Sequence, residues 1–478
     1  MNKKFYITTA IAYVNGAPHI GHALEFIQTD VLARYYRLLN VPTFFLTGTD
    51  EHGTKNYTGA EKAGVKTKDF VEKNAKVFQE LDKQLGISYD RFIRTTDKEI
   101  HWPGVEKFWK KLVEAGDIYK GNYSGLYCAG HEAFLNESDL VDGRCPDHDS
   151  PLQPVEEENY LFRYSRYIPQ VIDLIQSNQL SVVPGFRKNE ILNLLKSNPG
   201  DVSFSRKKDK LPWGIPVPGD PEHVIYVWSD ALVNYLTGVG YGRDEAEFAK
   251  WWPADIHVIG KDILRFHAGI WPAMLLSAGV TLPKVIFVHG FVNTGGRKLS
   301  KSTGNTIDPF DLIKKYGAEA VRYFLLRESP PTQDQEFTIP KFEARYNADL
   351  ASGLGNLVSR VATLAEKAGL ELPNPSNKIA LPASYKIAVE DYRFNDALSL
   401  IWNKISEADQ EISNAKPWEL IESDPKQAEA VLTSLITKIR GIATMLAPFL
   451  PETAEKITKI YHGPKIKATP PLFPRLEK

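Results

Sequence analysis

Cysteine is nearly absent from this chain, with two residues in 478, which excludes the disulfide framework of a small secreted domain. No run approaches the ~18 consecutive apolar residues of a membrane span. Neither sign of charge is in excess: 58 Lys+Arg stand against 59 Asp+Glu. Any polyanion must therefore be gripped by local patches, not by a basic body. The start, Met1 to Lys4 and then apolar Phe5 to Val14, imitates a secretory leader, but Thr8-Thr9 interrupts the run and no small-residue cleavage site precedes His19. A buried first strand and a reducing cytoplasm are the expectations. With 43% hydrophobic and 24% charged residues the chain is globular, long enough for about three domains.

Against these absences stand two motifs that answer one another. In Asn15-Gly16-Ala17-Pro18-His19-Ile20-Gly21-His22 a turn runs into a helix start, and the two histidines fall three apart on one helix face. That places imidazole donors where unpaired N–H groups and the positive end of the helix dipole already favour phosphate. Far downstream, Lys298-Leu299-Ser300-Lys301-Ser302 sets two lysines in a small, flexible setting, suited to the other jaw of a phosphate clamp. Together they point to ATP chemistry. Taken alone, His19 and His22 with Asp50-Glu51-His52 also suit a metal-dependent hydrolase.

Strand and helix patterns alternate. Phe5 to Val14 is strand-like, His19 to Leu39 has helical apolar spacing, and Pro42 to Thr47 returns to a strand. The pattern resumes at Ile256 to Ile259, followed by a helix to about Ala278, a strand at Val285 to His289 and a helix from about Pro309 to Leu326. This alternation predicts an α/β fold, a Rossmann-like parallel sheet whose ligand sits beyond the carboxyl ends of the strands. The histidine motif, Gly48-Thr49-Asp50, Gly260-Lys261-Asp262 and His289-Gly290 each follow such an end and are expected to converge. The expected division is a first catalytic half over 1–119, an inserted connective domain over 120–216 with one helical stretch from about Ile168 to Gln179, a second catalytic half over 217–338, and an all-α bundle over 339–478. In that last part Leu350, Leu354, Leu357 and Val361 share one stripe, and further helices are expected around Tyr385 to Ile412 and Gln427 to Leu446.

With these motifs in place the chain resembles the class I aminoacyl-tRNA synthetases, and among them the methionyl-tRNA synthetases. The likeness is carried by Tyr13-Val14-Asn15-Gly16 with the histidines, Gly48-Thr49-Asp50-Glu51-His52-Gly53, Val227-Trp228-Ser229-Asp230-Ala231, Gly260-Lys261-Asp262-Ile263 with Phe266-His267, and Lys298 to Ser302. Leu299 stands where the family usually carries Met, an apolar exchange of similar volume. The resemblance implies that ATP and methionine give methionyl-adenylate, and that the methionyl group passes to the 2′-hydroxyl of the terminal ribose of tRNA(Met). A carboxylate attacks the α-phosphate in line, so the enzyme must chiefly orient anions and stabilise growing charge. His19, Gly21 and His22 then serve the α- and β-phosphates, and Lys298, Ser300, Lys301 and Ser302 the departing pyrophosphate, with Mg²⁺ travelling on the nucleotide. Glu25 and Asp262 fall near the adenosine, and His289 beside the ATP.

For the amino acid, the resemblance implies that Asp50 receives the α-ammonium and that Ile11, Tyr13, Trp228, Ala231, Leu232, Tyr235, Ile263, His267 and Trp271 line the side-chain pocket. A thioether is a weak acceptor that packs well on aromatic edges, and His267 or Tyr13 is expected to face the sulfur. Asn356, Arg360 and Trp418 match the family's readers of the anticodon CAU, with Trp418 as the stacking platform. A branched-aliphatic synthetase is the rival within the class, but an insertion of about a hundred residues is small for the editing domain of those relatives. A monomer is expected, since the chain stops soon after Arg475.

Both cysteines fall in the insertion, as Cys128-Ala129-Gly130-His131 and Cys145-Pro146-Asp147-His148. Two C-x-x-H pairs have the spacing of a tetrahedral structural Zn²⁺ knuckle; an unmetallated knuckle or surface histidines are the alternatives. Related synthetases often bind zinc here, usually with cysteine where this chain has His131.

Overall fold

The computed structural model describes residues 4–128, 133–135, 140, 142–145, 152–294, 297–298, 307–372 and 380–477. They form two compact units, one from Met1–Pro18, Val41–Leu81 and Ser88–His289, the other from His19–Asn40, Asp82–Ile87 and Gly290–Lys478.

The first unit is built on a seven-stranded sheet. Phe5–Thr9 is buried at every position, as a strand covered on both faces must be. It pairs in parallel on both sides, Ile7 lying opposite Phe45 of Thr43–Asp50 and Ile256 of Ile256–Gly260. Val285–His289 and then Ser181–Val183 extend the sheet in parallel beyond Ile256–Gly260, and Arg91–Arg94 pairs in parallel with Thr43–Asp50. Gly48 is required by that last pairing, because a Cβ there would lie 2.1 Å from the Ile93 carbonyl oxygen. The single strand expected over Phe5 to Val14 is broken. Ala10 N–H donates to Val258, and the chain then turns so that Ala12–Tyr13 pairs with Thr49 and Asp50.

Within 120–216 an antiparallel sheet joins Ala133–Leu135, Ile118–Cys128, Gln153–Phe162 and Val202–Ser203. This stretch also returns a strand to the main sheet, since Ser181–Val183 lies inside it, between the helices Ile168–Gln176 and Gly185–Lys196. The second of these helices was not expected. Its glycine start and mixed polar face, Gly-Phe-Arg-Lys-Asn-Glu, hide the apolar spacing of Ile191, Leu192 and Leu195 that it buries.

In the second unit Ile20–Leu38 packs with helices from the C-terminal part of the chain. The helix expected over Pro309 to Leu326 is two, Pro309–Tyr316 and Ala318–Arg327, parted at Gly317, whose φ of 86° no helix accommodates. Leu350, Leu354, Leu357 and Val361 are all buried, as their spacing predicts. The first two lie in a π-helical stretch, Tyr346–Gly355, that leads into Asn356–Lys367. Buried tyrosine hydroxyls tie the helices together, Tyr461 donating to the Val358 carbonyl at 2.6 Å and Tyr385 to that of Met445 at 2.7 Å. Among the described residues no helix is long and apolar enough to cross a membrane.

The polar centre of this unit is Arg322, wholly buried on Ala318–Arg327. Its guanidinium donates to the carbonyls of Phe449, Pro448 and Leu85 at 2.8, 3.2 and 3.2 Å and pairs with Asp30 at 2.8 Å. Asp30 also accepts from Arg34 Nε at 2.7 Å. Burial and the nearby Asp30 charge push the Asp82 carboxyl well above its usual range. Removing one member of a buried charged network costs about 3–5 kcal/mol because its partners are left desolvated. Arg322→Met is therefore expected to lower the urea midpoint strongly, and Arg34→Met, at a partly exposed position, to lower it by much less.

Candidate active site

Three of the expected site segments lie at the carboxyl ends of parallel strands in the first unit's sheet. Asp50 closes Thr43–Asp50, buried and opposite Tyr13. His289, also buried, closes Val285–His289 opposite Gly260. Asp262 is exposed in the 3-10 turn Lys261–Ile263 that follows Ile256–Gly260.

Beside these ends stands an aromatic cluster. Trp228 is stacked face to face on Phe266, centroids 3.8 Å apart and planes within 5°. Tyr13 and His267 meet Trp228 edge-on, each with ring centroids 6.3 Å away. Tyr235 stacks on His257 at 4.1 Å and lies 6.0 Å from Trp271, which is fully buried against Phe108 and Trp252 as well. Ala231 and Leu232 are buried on the same short stretch as Trp228, while Ile11 and Ile263 are half-buried. Phe266 and His267 project from a π-helical turn, Phe266–Ile270, a distortion that often marks functional sites because it re-aims side chains.

The tautomer of His267 follows from its hydrogen bonds. Nδ1–H donates to the Ile263 carbonyl at 3.0 Å, so Nε2 must accept the Tyr235 hydroxyl at 2.7 Å. Burial holds this imidazole down at about 4, although the Ile263 carbonyl and the Asp262 charge both favour the proton. At neutral pH His267 is an uncharged wall whose two nitrogens are already engaged.

Residues outside the expected site complete this region. The buried carboxylate of Asp230 accepts from His52 Nδ1 at 2.6 Å and from His101 Nε2 at 2.7 Å. Burial opposes its ionisation, yet the two imidazoles outweigh burial and hold the carboxyl below its usual range. Glu51 is engaged by Arg94 at 2.6 Å and Thr49 at 2.8 Å. Glu51 thus serves an ion pair and His52 a hydrogen bond to Asp230, contrary to their use as hydrolase metal ligands, and no cluster of metal ligands occurs among the described residues. His52 and Asp230 are visible in the motifs Asp50-Glu51-His52 and Trp228-Ser229-Asp230, but their pairing needs the fold, and His101 has no motif around it.

In the second unit His19 is the N-cap of Ile20–Leu38. Its Nδ1 accepts from Gly21 N–H at 3.1 Å, while His22 Nδ1 accepts from His19 N–H at 3.1 Å, a reciprocal capping box. The rings stack at 3.9 Å. With both Nδ1 atoms accepting, each ring is neutral and carries its proton on Nε2. Gly21 is needed here, because a Cβ would lie 2.9 Å from the His19 ring. Glu25 is half-buried one turn further along. Lys298 ends the strand Arg297–Lys298, paired with Val292–Thr294, and Ser300, Lys301 and Ser302 lie outside the described residues. Asn356 is exposed on Asn356–Lys367, and the Arg360 guanidinium sits 4.9 Å over the Trp418 ring. Cys128 and Cys145 are both buried in one small cluster with Leu140 and Leu152, whereas His131 and His148 lie outside the described residues.

A Rossmann-like parallel sheet followed by a helical region is the architecture of a class I synthetase, and comparison with known proteins agrees. The family described as tRNA synthetases class I (M) matches residues 5–154 and 148–362, and that described as anticodon-binding domain of tRNA ligase matches 381–475. The chain is 42% identical over 471 residues to the methionine–tRNA ligase of Thermotoga maritima, covering 95% of this chain and 74% of that protein. It is 42% identical over 482 residues to that of Brucella melitensis, covering 97% and 93%. The Mycobacterium tuberculosis methionyl-tRNA synthetase in complex with methionyl-adenylate matches with a TM-score of 0.91 at 39% identity, over 99% of this chain and 100% of that one. The chain belongs to the methionine–tRNA ligase family.

The His267 environment sets a pH dependence. The unfolded imidazole titrates near 6.5 and the folded one near 4, so as pH falls through this window the unfolded chain takes up a proton that the folded one refuses. Stability is complete above the upper value and falls towards the lower one, by about 3 kcal/mol from this group. Urea unfolding at pH 7 and pH 4.5 is expected to show a smaller acid loss in His267→Gln than in the parent.

Proposed function

We propose that this chain activates methionine with ATP and transfers it to tRNA(Met), with the site residues acting as follows. The observation that carries the reading is the aromatic cluster around an uncharged His267, set beside the buried carboxylate of Asp50. Asp50 pairs with the α-ammonium, and Tyr13, Trp228, Tyr235, His267 and Trp271, with Ile11, Ala231, Leu232 and Ile263, enclose the thioether. An apolar, polarizable side chain suits such walls, whereas a polar or charged one would enter without partners. Selection among apolar amino acids then rests on shape, at about 1–3 kcal/mol per methylene.

The nucleophile is a carboxylate that is already ionised, so adenylation calls for no general base. It calls for donors aimed at the α-phosphate and for cations on the leaving pyrophosphate. Neutral His19 and His22, each a Nε2–H donor at a helix N-terminus, suit the first task. Lys298 and Lys301, with Ser300 and Ser302, take the second, Mg²⁺ arriving with the nucleotide. Glu25 and Asp262 accept from the nucleoside, and His289 borders it. Asn356, Arg360 and Trp418 read the anticodon; the stacked Arg360–Trp418 pair supports this by presenting a cation and a π-face together.

Cys128, His131, Cys145 and His148 would hold a structural zinc ion. The burial of both cysteines in one cluster supports it, and four protein ligands leave no open position for chemistry. Thiolate ligands also suit a reducing cytoplasm. About one zinc per chain is expected by metal analysis of protein purified without chelator, and none in Cys128→Ser.

Pyrophosphate exchange into ATP is expected with methionine and not with leucine, isoleucine or valine; exchange driven by a branched-aliphatic amino acid would overturn the reading. Trp418→Ala is expected to leave exchange intact while cutting tRNA charging by about 10- to 100-fold, the worth of one stacked base.

A further inference from the structure

The methionine reading leaves unexplained why one wholly buried carboxylate, Asp230, takes two imidazoles. Its Oδ2 accepts from His52 and its Oδ1 from His101, so neither oxygen is idle. His101 passes the link on, its Nδ1 lying 2.8 Å from the Thr237 hydroxyl. All four groups are buried and belong to the first unit.

What this network joins gives it a meaning beyond filling the core. His52 stands two residues past Asp50, and Asn56 fastens the same turn by donating to the Asp50 and His52 carbonyls at 3.0 and 2.8 Å. Asp230 stands two residues past Trp228 on Val227–Ala231, and Thr237 two residues past Tyr235 on Asn234–Thr237. His101 caps Trp102–Glu114, a third element. One carboxylate thus tethers the strand end bearing Asp50 to both ends of the 227–237 stretch that bears Trp228 and Tyr235. A methionine held by its ammonium at Asp50 and its thioether among those rings spans the distance that this network sets.

We propose that His52 and His101, acting through Asp230, are positioning residues that fix the separation between the ammonium acceptor and the apolar wall, and so set methionine affinity and selectivity. This rests on the methionine reading of the cluster. Neither residue touches substrate. Their donors hold a buried carboxylate in one orientation, and a carboxylate with a single donor rotates or draws in water, taking Val227–Ala231 with it.

The test uses the full-length enzyme in pyrophosphate exchange, with Asp50→Asn as control. His52→Leu deletes one donor to Asp230. His52→Asn restores it, since an asparagine amide reaches where Nδ1 stood, and His101→Gln does the same for Nε2. His52→Leu is expected to raise the methionine KM by about tenfold or more, the worth of a hydrogen bond to a charged group, with the ATP KM within about twofold of the parent. It is also expected to lower the kcat/KM preference for methionine over norleucine. His52→Asn is expected to recover most of both, and His101→Gln, which keeps the donor to Asp230, to stay near the parent. If the Leu variant does not fold, the near-isosteric Thr237→Val, which deletes only the link from His101 to Thr237, decides: a methionine KM raised without that of ATP supports the proposal, and KM values unchanged or raised alike overturn it. A His52→Leu enzyme with unchanged methionine KM, or with both KM values raised alike, also overturns it. Asp50→Asn separates the two readings, because an unchanged methionine KM there sinks the pocket itself, whereas a raised one beside an unaffected His52→Leu sinks the network alone.

Discussion

The first unit depends on one strand being paired on both sides. Phe5–Thr9 holds Thr43–Asp50 on one flank and Ile256–Gly260 on the other, and so brings together segments that the chain separates by most of its catalytic part. Parallel pairing cannot be made by a tight hairpin, so each neighbour arrives through a long connection. The direction common to all seven strands then delivers Asp50, Gly260 and His289 to the same sheet edge. The aromatic cluster is a consequence: Tyr13 is carried by the short strand beside Asp50, and Tyr235 rests on His257 of Ile256–Gly260.

The repeating parts of this architecture were legible in the residues, because periodicity reports what a segment buries. Strands such as Val285–His289 are apolar at nearly every place since both faces are covered, and the stripe Leu350, Leu354, Leu357, Val361 is buried as written. The helix start at His19 was legible for a different reason: His19, Gly21 and His22 form their capping box within one helical turn, where spacing is geometry. Contacts between distant segments are of another kind. No local pattern couples His52 to Asp230 or to His101, and none indicates that Nε2 of His267 is taken by Tyr235. The break at Gly317 and the π-turn at Phe266–Ile270 escaped for a third reason, since both interrupt helical periods without changing the apolar count.

Both units solve the burial of charge in the same way. Arg322 is surrounded by three carbonyls and a carboxylate, and Asp230 by two imidazoles. Such groups add little net stability compared with apolar packing of the same volume, but they tolerate one arrangement only, because any other leaves a charge without partners. Where apolar surfaces of similar shape slide past one another at small cost, a fully bonded carboxylate or guanidinium fixes register. That directional constraint is distinct from the modest energy such groups contribute.

The capping box of His19 and His22 carries a consequence for the medium in which the enzyme works. With each Nδ1 accepting a backbone N–H, the two rings are dipoles and not cations. Dissolved salt screens net charges over about 8–10 Å at physiological strength but hardly weakens a short, desolvated dipolar contact. The lysines at 298 and 301 are charges and feel such screening. Changes in ionic strength should therefore fall unequally on the two motifs, damping the field of the lysines while the dipoles at the helix start stay nearly constant.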